Sequence, residues 1–145
     1  MNLNDDELRQ MLALMESYKN RVEALNRQVT VLRSTLDEVN MADESIKALI
    51  GAKEGDEIMV PIGASSFMTV KVCSNKNIIV GVGSNLSVEK TPEEADQYME
   101  ANAAELSEAL KKTVDALNEM QQALSTVSEA VQTEYMNRQQ QTPTQ

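Results

Sequence analysis

Few residues in this chain have the type and spacing that chemistry requires, and they are scattered. Glu93 and Glu94 are adjacent carboxylates, the kind that share acid–base work or hold a metal. The sequence has no histidine, however, and no third ligand stands near them. They follow Thr91 and Pro92, so a helix start explains them better, with acids at the positive end of the dipole. Cys73 is the one cysteine, and its neighbours Val72 and Ser74 make no redox or zinc motif. It is expected to be a small strand residue, buried or half-buried. Gly81-Val82-Gly83 lacks the third glycine and the following helix of a phosphate-cradling loop. Asn85-Leu86-Ser87 fits a glycosylation acceptor, but no secretory signal is legible and a turn accounts for the asparagine. No nucleophile–base pair, cofactor loop or metal set emerges. The chain is expected not to be an enzyme.

Composition narrows the partners. A formal net charge of −10 and a pI near 4.5 repel phosphate backbones and anionic membranes, so neither nucleic acid nor membrane is an expected partner. No apolar run has membrane-spanning length, which suggests a cytoplasmic protein. Hydrophobic residues make up 41% of the chain while aromatics make up 3%, which favours helical seams over a large globular core.

Two long stretches carry the helical period. From residue 5 to 50, apolar residues recur at alternating three- and four-residue steps, from Leu8, Met11, Met15 and Tyr18 through to Ile46 and Ile50. Asn4, Asp5 and Asp6 offer a cap, and Gly51 suits the position just past the end. A helix of this length spans about 65–70 Å. Asp43 falls in a seam slot, either as an irregularity near water or as a polar insertion that sets register. The second stretch, 92–138, begins at the Thr91–Glu94 capping box and runs through Met99, Leu106, Leu110, Leu117, Leu124 and Val131. Antiparallel pairing brings Val22 beside Leu124, Leu25 beside Met120, Val29 beside Leu117 and Ile46 beside Met99, and puts Asp43 opposite Ala103. Residues 139–145 are polar and are expected to form a disordered tail.

Between the helices, residues 57–90 form the one block with β character. Four β-branched segments (57–62, 66–73, 77–82 and 86–90) are separated by spacers of hairpin length containing Gly or Asn. The expected fold is therefore α+β, a single domain over 1–145. A long antiparallel coiled-coil hairpin carries two β-hairpins inserted at one end. Such hairpins are marginal alone and expose edges, so strands from other subunits are expected to complete them.

Apolar residues leave the seam in one place. Between Leu8 and Met15, Leu12 and Leu14 are additional, and Leu3 precedes them; the antiparallel register adds Val131, Tyr135 and Met136. Surplus apolar surface at a polar helix end marks a binding site, and Met11, Met15 and Met136 make it adaptable. Burying three or four such side chains yields roughly 5–10 kcal/mol, against an association cost of about 4–15 kcal/mol. A single site would bind weakly, and several on one assembly could hold one client together. A structural scaffold with inert ends is the alternative.

These residues resemble a known family. Val60-Pro61-Ile62-Gly63, Ser66-Phe67, Val80-Gly81-Val82-Gly83 and Val88-Glu89-Lys90 before Pro92-Glu93-Glu94-Ala95 are similar to α-class subunits of archaeal prefoldin, and two hairpins favour that class. The resemblance implies a hetero-hexamer of two α and four β subunits, whose strands build a double β-barrel platform. It also implies ATP-independent capture of non-native proteins at the coiled-coil ends and delivery to a group II chaperonin. The family's client-binding surface falls on residues 3–15 and 131–136. Its platform falls on Ile58, Val60, Ile62, Phe67, Val70, Val72, Ile79, Val80, Val82, Leu86 and Val88.

Overall fold

The computed structural model describes residues 3–141. Its elements follow in the order α1 (Asp5–Ile50), β1 (Glu57–Gly63), β2 (Ser66–Lys71), β3 (Ile78–Gly83), β4 (Leu86–Lys90) and α2 (Pro92–Gln141). The second helix continues past residue 138, so residues 139 to 141 are helical where a tail is expected; the rest of that tail, 142–145, lies outside the described residues. Contacts divide the chain into two compact units. One joins the stretch ending at Val31 to the stretch beginning at Leu110, and the other is Leu32–Ala109.

Both helices begin at reciprocal caps. Asn4 and Glu7 exchange backbone-to-side-chain hydrogen bonds of 2.8 Å each. Thr91 and Glu94 do the same at 3.1 and 3.2 Å, with Pro92 in the first helical position, as the sequence pattern predicts. The end of α1 differs from expectation. Gly51 does not take a left-handed conformation; the chain turns through Ala52 N–H bonded to the Leu49 carbonyl, and Asn75 Nδ2 donates to the Ala52 carbonyl at 2.9 Å.

In the first unit, the helices run antiparallel and bury Leu25, Val29 and Leu117, with Val22, Val114 and Met120 packed around them. This is the register the seam predicts. In the Leu32–Ala109 unit, Ile46, Val80 and Ala95 form a second buried cluster, flanked by Ile78, Val82, Tyr98 and Met99. Val80 is the strand residue that ties a hairpin to the helices. It is 2% exposed.

The four strands form two separate antiparallel pairs, β1 with β2 and β3 with β4. Pairing ends at Lys71, so Cys73 lies beyond β2 and is exposed, contrary to the strand position expected for it. Each hairpin closes through a two-residue loop, Ala64-Ser65 and Ser84-Asn85, with all four residues at φ between 49° and 57°. Gly63 and Gly83 precede these loops at φ 97° and 104°, where the register shifts by a bulge. Left-handed backbone at non-glycine residues is strained by about 1–2 kcal/mol, least for Asn. Replacing Ala64 with Asn should therefore stabilise the first hairpin by about 0.5–1 kcal/mol, whereas Ala64→Val should destabilise it by more. Hydrogen-exchange protection of the β1–β2 amides checks both.

Candidate functional site: two uncovered hairpins, an apolar groove and a carboxylate cluster

No residue of β1 or β2 is buried. The register pairs Ile58 with Val70 and Val60 with Met68 on one face, Met59 with Thr69 and Pro61 with Phe67 on the other. Both faces are thus apolar in a sheet of two strands. Ile62, Phe67, Ile79 and Leu86 are each more than half exposed, as is Met59, which the sequence reading left out; Met68, also left out, is half exposed. Ile58, Val60, Val70, Val82 and Val88 are half-buried, while Val72 and Val80 are buried within the chain. A two-stranded sheet with apolar faces and open edges is incomplete. Its physics calls for further strands or an apolar cover.

In the unit that contains both helix ends, α1 begins beside the last turns of α2. Leu8 and Val131 are buried there and pack the helices together, with Met11, Leu12 and Met15 half-buried above them. Leu14, Tyr135 and Met136 are exposed. Two open cavities adjoin at this end. One, about 430 Å3, is lined by Leu3, Met11, Ala130, Thr133, Glu134 and Asn137. The other, about 310 Å3, is lined by Leu3, Glu7, Gln10, Met11 and Leu14. Leu3 and Met11 belong to both and form their shared wall.

A polar knot holds that wall in place. Arg138 donates from Nε to Glu134 Oε1 at 3.0 Å, from Nη1 to Asp5 Oδ1 at 2.7 Å and from Nη2 to the Leu3 carbonyl at 2.9 Å. The Glu134 side chain is 3% exposed. Arg138 beside it holds its carboxyl below the usual glutamate range, against the opposing effect of burial and with help from the Leu3 N–H. A depressed carboxyl stabilises the folded state above its ordinary range and loses that contribution as acid protonates it, so the knot loosens in acid. Spacing on α2 alone hints at the Glu134–Arg138 pair, four residues apart near the helix end. Their grip on Leu3 has no local signal.

The Leu32–Ala109 unit holds the one carboxylate cluster found among the described residues. Asp43, Asp96 and Glu100 each bring an oxygen within 4.8 Å of the others. Lys47 Nζ supplies the cation they share, at 2.9 Å from Asp43, 3.2 Å from Glu100 and 3.8 Å from Asp96. An ammonium at that point leaves a metal no advantage of charge. Asp43 therefore turns toward α2 and its acids, not to water opposite Ala103. Its Oδ1 and that of Asp96 are both buried without a hydrogen-bond donor. Asp43 beside it, and then burial, push the Asp96 carboxyl above its ordinary value.

Comparison with known proteins gives a consistent result. Residues 18–137 match the family described as Prefoldin subunit. The prefoldin subunit alpha of Methanothrix thermoacetophila is 34% identical over 108 residues, which is 74% of this chain and 71% of that protein. The prefoldin subunit alpha of Pyrococcus horikoshii is 32% identical over 126 residues, 81% of this chain and 85% of the relative. Among solved structures, the chain is similar in fold to one in a cryo-EM structure of filamentous PFD from Methanocaldococcus jannaschii. The TM-score is 0.59 at 24% identity, over 79% of this chain and 95% of that one.

Asp96 provides a direct check on the cluster. A carboxyl whose folded value is raised penalises the native state above that value, and the penalty fades as pH falls through it. Asp96→Asn presents an amide donor to Asp43 at every pH. The variant should melt a few degrees higher than the parent at pH 8, with the gap closing toward pH 4, as read by thermal unfolding across that range.

Proposed function

Because this chain belongs to the prefoldin family, as the match across residues 18–137 establishes, we propose that it works as an ATP-independent holdase. In this reading it captures non-native polypeptides at the paired helix ends and passes them to a group II chaperonin. Its hairpins join those of companion β subunits, two α with four β, in the cytoplasm. The observation that carries the proposal is the pairing of two uncovered apolar surfaces in one chain. The hairpin faces around Phe67 and Ile79 suit lasting assembly, because strand edges can extend across subunits by backbone hydrogen bonds. The groove walled by Leu3 and Met11, with exposed Leu14 nearby, suits brief and adaptable contact. Neither role needs a catalytic group. Among the described residues, no helix is long and apolar enough to cross a membrane.

The two surfaces should separate under mutation. Met11→Ser, Leu14→Ser and Met136→Ser together should leave the native mass of the complex with its companion subunit unchanged, while weakening suppression of aggregation of a denatured protein on the order of tenfold. Phe67→Lys with Ile79→Lys should instead abolish the complex, as seen by native mass spectrometry. Suppression untouched by the first set would place client capture elsewhere.

A further inference from the structure

The charge around the groove is as distinctive as its apolar lining. Over residues 3–16 and 129–138 the acids are Asp5, Asp6, Glu7, Glu16, Glu129 and Glu134, and the bases are Arg9 and Arg138 alone. Both bases are already engaged. Arg138 spends its guanidinium on Glu134, Asp5 and the Leu3 carbonyl, and Arg9 lies 3.8 Å from Asp6. Glu7 lines one cavity and is exposed, whereas Glu134 on the other is buried against Arg138, so the surplus negative charge lies on Glu7 and the exposed acids around the groove, with Leu3 and Met11 between the cavities. A ligand side chain entering either cavity meets apolar walls inside and net negative charge at the rim.

We propose that this groove selects non-native segments in which aliphatic residues are flanked by lysine or arginine. The inference rests on the capture reading above and adds to it the chemical class of segment bound. An apolar core fills the cavities beside Leu3 and Met11, and basic flanks meet carboxylates that the chain's own bases leave in excess. Exposed charge pairs are each weak, so the preference is graded and sensitive to salt. The same field disfavours acidic flanks. Acid-rich chains, this one among them with its net charge of −10, are poor ligands for the groove.

The test uses the full-length chain assembled with its companion subunit and three fluorescent peptides sharing one aliphatic core, flanked by lysines, serines or glutamates. Fluorescence anisotropy should rank them lysine, serine, glutamate, with about 3–10-fold between neighbours at low salt and little difference at 0.5 M salt. The double variant Glu16→Gln with Glu129→Gln removes two exposed carboxylates that line neither cavity. It should bind the serine peptide as the parent does and lose most of the ranking. Asp6→Asn, at an exposed position outside the packing, should narrow the ranking by a smaller amount should the double variant fold poorly. Equal binding of the lysine and glutamate peptides overturns the proposal, as does a ranking unchanged in all variants. Failure of every peptide to bind overturns the capture reading itself, and the selectivity with it.

Discussion

A two-stranded sheet leaves one edge of each strand without backbone partners, and this chain contains two such sheets. Water can satisfy those edges, but it cannot also favour the apolar faces that flank them. Met59, Ile62, Phe67, Ile79 and Leu86 stand out from strands of which Val80, with Ile78 and Val82 beside it, packs against Ile46 and Ala95. The second hairpin therefore has an anchor in the Ile46–Ala95 cluster, in which no β1 or β2 residue takes part among the described residues. Most of what is unusual about the molecule follows from that incompleteness. Short two-stranded sheets are marginal without further strands or an apolar cover.

The helices meet a different constraint. Each buries a narrow stripe against the other, and the polar groups near that stripe must find partners within reach. At one place the solution is Arg138, which divides its donors among a buried glutamate, an exposed aspartate and a backbone carbonyl. At another it is Lys47 among three acids. Both devices place a cation where carboxylates crowd, a natural arrangement for a strongly acidic chain. They also fix which residues lie side by side, a task a uniform apolar seam performs poorly because it tolerates slippage by a heptad.

Much of this was legible before any coordinates. The seam period, the Thr91–Glu94 cap and the helix pairing around Val29 and Leu117 all follow from local pattern, since each depends on residues within a few positions or on a simple antiparallel count. The incompleteness of the hairpins was legible too, from strand length alone. Other features were hidden for identifiable reasons. Asp43 read as an isolated irregularity because Asp96 and Glu100 approach it only once the helices pair. Cys73 read as a strand residue because the β-branched composition runs on after the ladder stops at Lys71. Met59 and Met68 carry little strand preference, although alternation puts them on the open faces. The grip of Arg138 on Leu3 joins positions 135 residues apart, and nothing in either neighbourhood announces the other.

That grip makes the two extremities of the polypeptide a single mechanical joint. Arg138 reads the backbone of Leu3, so an α2 that stopped short of Arg138 would unfasten Leu3 and free Asp5. Leu3, which walls both cavities, is thus held in place by a residue of α2.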